Sequence, residues 1–171
     1  MPIRRGIYVT GVSRGGLMAF TLACVAADRI AAVAPLITGM TEYQLQDCRP
    51  ARPMPIMVLA GTADRAQSFG GAQGPLGRLM SVPDTMNFWR QQHGCTGRAG
   101  RPLAHLHADD PTRVLVVEWS GCRTGAAPQL YRVEGGGHQI PSVSVGPNQD
   151  LRNRDIETAD EIWAFFKRFR L

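Results

Sequence analysis

The feature that most constrains the fold of this chain is an apolar run that ends in a short, glycine-flanked motif near the N-terminus. Residues 7–10 lead directly into residues 11–15, whose sequence GVSRG fits the pattern G-x-S-x-G. A long apolar stretch, 17–27, follows. This order predicts a strand, a sharp turn that carries Ser13, and a helix that is buried because it is apolar on nearly all sides. We expect Gly11 and Gly15 to lie where the turn leaves no room for a Cβ atom.

Two later segments predict strands that end in polar loops. The apolar run 55–61 suits a strand buried on both faces of a parallel sheet, and Asp64 follows it. Residues 129–134 predict another strand, which is followed by three glycines and His138. Ligand-binding and catalytic groups of open α/β sheets gather past the C-terminal ends of the strands. We therefore expect Ser13, Asp64 and His138 at one edge of the sheet.

The three residues also stand in the chain order of a hydrolase triad, Ser, Asp, His. A serine hydroxyl is a poor nucleophile until an imidazole takes its proton, and a carboxylate behind the imidazole holds its tautomer. These needs assign the roles of nucleophile, base and orienting acid to Ser13, His138 and Asp64. The backbone N–H of Arg14 is a candidate oxyanion donor. Taken singly, each residue has an alternative: a solvent-facing serine, a turn-capping aspartate and a solvated loop histidine.

Several further segments follow the order of a known family through residues 4–141. These are 30–35, 61–64, Phe88-Trp89 before Gly94-Cys95, Trp119 before Cys122, and 135–138. With the motif around Ser13, they resemble the polyhydroxybutyrate depolymerase and feruloyl esterase-like family of α/β-hydrolases. The resemblance implies an α/β fold, a partial α/β-hydrolase with a mostly parallel sheet from the strand before Ser13 onward and helices at its flanks. It also implies Ser13 as nucleophile, Asp64 as triad acid and His138 as base.

The chain departs from the family pattern beside the candidate site. Residues 65–71 lack the proline of the family's apolar-Pro-aromatic stretch, and Gln139-Ile140-Pro141 follows His138 in place of an aromatic residue and Pro-Gly. Both departures bear on substrate preference more than on the triad.

The length of the chain is the larger departure. The resemblance implies that residues 1–171 are the C-terminal part of a single catalytic domain. The N-terminal half, with a second oxyanion donor and any signal peptide, is then absent. Ile7, Tyr8 and Val9 would lie on an unpaired apolar sheet edge, which favours self-association. We expect the chain alone to have little or no esterase activity.

Composition narrows the class of protein. Hydrophobic residues make up 44% and charged residues 19% of the chain, enough for a packed core. No stretch is long and apolar enough to predict a membrane span. The net charge is +5, but the arginines are scattered singly and no nucleic-acid-binding motif accompanies them. We expect no nucleic-acid partner.

Four cysteines allow three pairings. The resemblance favours a bridge between Cys95 and Cys122, and a disulfide in turn implies a secreted or periplasmic protein. Cys24, in the predicted buried helix, is expected to serve in packing. The cysteine spacing does not suit zinc, since no Cys-x-x-Cys occurs. Residues 105–110, with two histidines and two aspartates, could bind a metal, but flanking prolines favour a polar surface loop; we expect no metal site.

The remaining elements are predicted from periodicity and turn residues. A helix is expected over 81–93 with a proline in its first turn, and a strand over 114–117 beside 129–134. Residues 143–154 predict a loop. Residues 156–169 predict an amphipathic helix built on Ile162, Phe166 and Phe169, with Trp163 and Phe165 widening its apolar face.

The function implied by the resemblance is a serine carboxylesterase or depolymerase that works through an acyl-enzyme on Ser13 without a cofactor. The implied substrates are hydroxyalkanoate polyesters or hydroxycinnamate esters. A serine peptidase of the prolyl-oligopeptidase type, which has the same triad order, is the first alternative. A catalytically silent truncated half-domain is the second.

Overall fold

A mixed six-stranded sheet organises the chain. The computed structural model describes residues 6–74, 77–144 and 151–171. In chain order the elements are β1 (Tyr8–Val12), α1 (Arg14–Val25), β2 (Ala32–Leu36), α2 (Glu42–Asp47), β3 (Met57–Gly61), β4 (Ala72–Gly74), β5 (Gly77–Leu79), α3 (Val82–His93), β6 (Gly97–Pro102), β7 (Arg113–Ser120), β8 (Gln129–Glu134) and α4 (Thr158–Phe166).

The strand order is β1-β2-β3-β8-β7-β6, and β4 and β5 form a separate hairpin. The first four strands run parallel to one another, whereas β7 and β6 continue the sheet in antiparallel fashion. The prediction of an α/β fold with a mostly parallel sheet is confirmed. Because parallel strands end at the same edge, the residues that follow β1, β3 and β8 leave the sheet on one side.

Helices cover both faces of the sheet and enclose two cores. On one face α1 and α3 pack Phe20, Met86 and Trp89 against the strands. On the other face α4 packs Phe165 and Phe166. Strands β2 and β3 are buried at every position, which explains why the sequence around 55–61 is continuously apolar rather than alternating.

The prediction that the first helix is buried all round was wrong. Helix α1 buries one stripe, which includes Ala19, Phe20 and Ala23, against the sheet. Its outer side is open: Met18 is 58% exposed and Val25 is 72% exposed. An apolar sequence therefore does not predict burial for this helix, because no described residue packs against its outward side chains.

The C-terminal helix is shorter than predicted, and its buried face is narrower. It spans Thr158–Phe166 rather than 156–169, and Trp163, expected on the buried face, is 59% exposed. Its Phe166 stacks on the ring of Tyr8 with centroids 4.9 Å apart, and the Tyr8 hydroxyl donates to the Phe169 carbonyl at 2.8 Å. Tyr8 is therefore covered by this helix, so of the predicted edge residues only Ile7 is exposed, and its exposed fraction is 56%.

The predictions for α3 and β7 are confirmed, whereas the strands β2, β4, β5 and β6 and the short helix α2 were not predicted. Helix α3 begins after the capping residue Ser81 with proline in its first turn, and β7 pairs with β8 in antiparallel register. Strand β6 has the sequence GRAGRP, which carries no apolar alternation, and β4 and β5 have three residues each. In the predicted loop 143–154, the described ends are irregular, and residues 145–150 lie outside the described part.

Two disulfides close loops on the face covered by α1 and α3. The predicted bridge between Cys95 and Cys122 is present, joining the end of α3 to the end of β7. Cys24 packs in the core as expected, and it is also bridged to Cys48, a pairing that the sequence left open, so it ties α1 to the end of α2. No helix among the described residues is long and apolar enough to cross a membrane.

Removing the unexpected disulfide should destabilise the fold. The Cys24–Cys48 bridge spans 24 residues, a loop whose closure is worth about 3 kcal/mol through the entropy of the unfolded chain. We expect the double variant Cys24→Ala, Cys48→Ala to lose about that much free energy of unfolding, measured by urea titration. An unchanged urea midpoint, or free alkylation of both native thiols without reductant, would contradict the bridge.

Self-association is expected along the β1 edge. Within the described residues β1 pairs only with β2, and the exposed apolar side chains of Ile7, Met18 and Val25 flank it. Open apolar edges template further strand pairing. Sedimentation velocity should show species above the 18.6 kDa monomer, reduced by Ile7→Lys and unchanged by Leu106→Lys, which alters an exposed residue elsewhere. A monomer at all concentrations contradicts this expectation.

Candidate active site

Ser13 lies in a strained turn between β1 and α1. Its φ is 56° and its ψ is −116°, a combination that a residue with a side chain rarely adopts. The backbone N–H of Ser13 donates to the Leu36 carbonyl at 2.9 Å, which ties the turn to the end of β2. The strain is thus held in place by the neighbouring parallel strand, and strain of this kind is typical of functional turns.

The two motif glycines have different environments, which corrects the expectation that neither position has room for a Cβ atom. A Cβ on Gly11 would lie 2.3 Å from the Gly15 carbonyl oxygen, so this position requires glycine. A Cβ on Gly15 would meet nothing within 4 Å. The second crowded position is Gly16, which faces Thr38 and the Leu36 carbonyl. The tight packing of strand against helix therefore depends on Gly11 and Gly16.

The N-terminus of α1 supplies backbone donors beside Ser13. The helix begins at Arg14, and the first intrahelical bond is donated by the Leu17 N–H to the Ser13 carbonyl. The N–H groups of the first turn of a helix have no intrahelical acceptors, and the helix dipole favours negative charge there. The Arg14 N–H, singled out from the motif, is one of these groups.

Asp64 is buried just past the end of β3, and both of its carboxylate oxygens are engaged. Oδ1 accepts hydrogen bonds from the backbone N–H groups of Ala66 and Gln67, each at 2.8 Å. Oδ2 lies 2.8 Å from His138 Nδ1. The turn that follows Asp64 therefore fixes the carboxylate and directs one oxygen at the histidine.

This contact determines which nitrogen of His138 is available for chemistry. A carboxylate accepts, so Nδ1 carries the proton and donates to Asp64. The opposite nitrogen, Nε2, then holds the lone pair of a neutral imidazole. The Asp64 side chain is 1% exposed and that of His138 is 33% exposed. The carboxylate is therefore buried, whereas the imidazole is partly accessible to solvent.

The loops that carry Asp64 and His138 are bound to each other through their backbones. The Ala63 N–H donates to the Gly136 carbonyl at 2.9 Å, and the Gly135 N–H donates to the Thr62 hydroxyl at 2.8 Å. A Cβ on Gly61 would lie 2.3 Å from the Gly136 carbonyl oxygen. Thr62 and Gly136 were not predicted as supports, and the run of glycines before His138 is the sequence signal that indicates close backbone approach there.

The segment after His138 returns toward the turn that carries Ser13. A largely apolar cavity of about 490 Å³ is lined both by residues 10–12, at the end of β1, and by residues 139–142. Ile162 of α4 forms part of its wall. The segments that follow β1 and β8 therefore approach each other across this cavity, and Asp64 contacts His138 from the turn after β3.

Residues 105–110 lie in an irregular loop at the surface, as predicted, but His105 and the buried Asp110 also join a polar network with residues 153–155. His105 Nδ1 lies 3.1 Å from both carboxylate oxygens of Asp155, and the buried Asp110 accepts from Thr112 and from the Arg154 N–H. Burial acts to raise the pKa of Asp155, but hydrogen bonds from Leu106, Asn153 and His105 outweigh it and the pKa is lowered. No group of three metal-ligating side chains occurs in the ranges that the structure describes.

The close approach of the two loops yields a test of the site's framework. Gly61→Ala places a Cβ against the backbone of the His138 loop, so we expect a loss of 1–3 kcal/mol or more in the free energy of unfolding. The NMR signal of the His138 Nδ1 proton should shift or disappear. Gly15→Ala makes the same change in open helical space and should be neutral or stabilising. Equal stabilities of the two variants would contradict the crowding at Gly61.

Comparison with known proteins finds esterases. No protein-family model matches the chain. The chain is 30% identical over 172 residues to feruloyl esterase B of Piromyces equi, covering 96% of this chain and 28% of that protein. It is 29% identical over 164 residues to feruloyl esterase D of Neurospora crassa, and the aligned part covers 95% of this chain and 48% of that protein. A bifunctional acetylxylan esterase/xylanase of Neocallimastix patriciarum is 24% identical over 139 residues, and the aligned part covers 81% of this chain and 19% of that protein. The chain spans less than half of each of these relatives, and its similarity to them supports an ester hydrolase as the general class.

Proposed function

We propose that this chain carries the catalytic triad of a serine carboxylesterase, with Ser13, Asp64 and His138 as its members. The observation that carries the proposal is the 2.8 Å hydrogen bond between His138 Nδ1 and Asp64 Oδ2. It leaves Nε2 as a base at the sheet edge where Ser13 is held in its strained turn. The similarity to proteins named as esterases supports ester hydrolysis as the reaction.

The reaction runs through an acyl-enzyme. Ser13 Oγ attacks the carbonyl carbon of the ester while its proton passes to His138 Nε2. The tetrahedral intermediate collapses, His138 gives that proton to the departing alcohol, and the acyl group stays on Ser13. His138 then takes a proton from a water molecule, whose oxygen attacks the acyl carbon. The carboxylic acid leaves as Ser13 recovers its proton.

Two parts of the site stabilise charge during these steps. The carboxylate of Asp64 keeps the imidazole of His138 oriented and stabilises its cationic form. The backbone N–H of Arg14, at the first turn of α1, donates to the oxyanion that forms on the substrate carbonyl. Because this donor belongs to the backbone, the contribution does not depend on the Arg14 side chain.

Substrate class and location follow from the same comparisons. Relatives named for feruloyl and acetylxylan esters favour hydroxycinnamate or other plant cell-wall esters, and hydroxyalkanoate polyesters remain the substrate class of the family that the sequence resembles. The two disulfides favour an oxidising compartment and hence a secreted or periplasmic protein. The apolar cavity between β1 and residues 139–142 is the proposed site of the acyl or alcohol group.

The nucleophile is tested by covalent labelling. A fluorophosphonate should label Ser13 in the purified chain, and Ser13→Ala should abolish labelling and lower any hydrolysis of short p-nitrophenyl esters by several orders of magnitude. Ser120→Ala, which removes an exposed hydroxyl on β7, is the matched control and should leave both unchanged. His138→Ala should slow labelling because the base is lost.

Each contrary outcome has a distinct meaning. Labelling that persists in Ser13→Ala would contradict the assignment of the nucleophile. No labelling of the native chain would favour a catalytically silent domain. Faster cleavage of aminoacyl-p-nitroanilides than of p-nitrophenyl esters would instead favour a peptidase.

A further inference from the structure

A second cavity, of about 330 Å³, lies on the face of the sheet covered by α3. Its walls come from α3, from β6, β7 and β8, and from the loop after Asp64. It shares no lining residue with the cavity beside the Ser13 turn. Its size is at the lower end of the range of small-molecule sites, about 300–1,000 Å³, which suits a ligand of one ring.

The floor of this cavity is apolar and rigid. Met86, Val117, Trp119 and Leu130 contribute to it, and all four are buried in the packed core beneath α3. Phe69, from the loop after Asp64, also lines the cavity. Aromatic faces of this kind stack on planar rings or apolar bodies of ligands.

Three arginines complete the lining: Arg90 from α3, Arg98 from β6 and Arg132 from β8. No acidic residue lines the cavity within the described part of the chain. Arg132 is paired with Glu134 at 2.8 Å and lies over the Phe69 ring at 5.5 Å. The other two have no carboxylate partner in the described ranges, and Arg90 donates only to the neutral oxygens of Asn87 and Cys95.

We propose that this cavity binds a small aromatic carboxylate, with its ring against Trp119 and Phe69 and its carboxylate on Arg90 and Arg98. Uncompensated guanidinium groups beside an apolar floor select a ligand that combines a negative charge with an apolar body. Guanidinium presents paired N–H donors that match a carboxylate. The proposal goes beyond ester hydrolysis and does not depend on it, because no residue of the proposed triad lines the cavity.

The position of Phe69 connects this cavity to the candidate active site. Phe69 is in the same loop as Asp64, whose carboxylate accepts from Gln67. Arg132 lies on β8, the strand that leads to His138. A ligand in the cavity would therefore contact a side chain in the loop that holds the acid and a side chain on the strand that leads to the base.

The test is an NMR titration with 3-phenylpropanoate, its neutral amide and butanoate. The ¹⁵N–¹H signal of the Trp119 indole, assigned with Trp119→Phe, should shift with saturation on adding 3-phenylpropanoate. The exposed Trp163 on the other face serves as an internal control and should not shift. The amide lacks the charge and butanoate lacks the ring, so each should bind about tenfold more weakly or worse.

Arg98→Gln and Arg101→Gln form the matched pair. Both residues are exposed on β6, but Arg98 pairs opposite Trp119 and lines the cavity, whereas Arg101 pairs opposite Val116 and points to the other face. Arg98→Gln should weaken binding about tenfold, and Arg101→Gln should leave it unchanged. Ser13→Ala should also bind normally, which separates this proposal from the proposed esterase.

Three results would overturn the proposal. One is the absence of any saturable shift of the Trp119 signal. Another is equal binding of the acid and its amide, which would indicate an apolar site without charge recognition. The third is equal weakening by Arg98→Gln and Arg101→Gln, which would indicate a general effect of net charge.

Discussion

The parallel pairing of β3 with β8 is the constraint on which the candidate site depends. It aligns Gly61 with Val133, so that the chains leaving the two strands run side by side. The absence of a side chain at Gly61 lets the Gly136 carbonyl approach, and the Ala63 N–H bonds to that carbonyl. Asp64 and His138 meet at 2.8 Å because their backbones are already joined one and two residues earlier, at Ala63 and Gly136. Their hydrogen bond is thus preorganised by main-chain contacts.

The Ser13 turn is held by a second, separate set of backbone contacts. Strand β2 supplies the Leu36 carbonyl that accepts from Ser13, and Gly11 lets the start of α1 come close to β1. The positive φ of Ser13 is stable because these neighbours leave the turn no relaxed alternative. The serine and the His138–Asp64 pair are therefore positioned independently, by β1–β2 and by β3–β8, and the sheet relates one to the other.

The parts of the fold that could be predicted from the sequence are those that rest on local patterns. A continuous apolar run predicted β3, the segment before the three glycines and His138 predicted β8, and proline in the first turn predicted α3. Burial of α1 and α4 could not be predicted from composition, because Met18 and Trp163 are exposed through tertiary context that periodicity does not record. The bridge of Cys24 to Cys48 depends on how α2 lies beside α1, which spacing alone leaves open. Strand β6 was missed since pairing with β7, rather than side-chain pattern, makes it a strand.

The antiparallel extension of the sheet explains why the second cavity has no sequence signature. Strand β6 carries arginine and glycine where a core strand would carry apolar residues, and its neighbour β7 supplies Trp119 from the same face. Arg90 comes from α3 and Arg132 from β8, so the charged lining is assembled from three elements spread over 43 positions in sequence, from 90 to 132. In the linear sequence these arginines are indistinguishable from the scattered ones that give the chain its net charge of +5. The fold brings them together, since Arg98 and Arg132 extend from strands on the face of the sheet that carries Trp119, and Arg90 extends from α3, which covers that face.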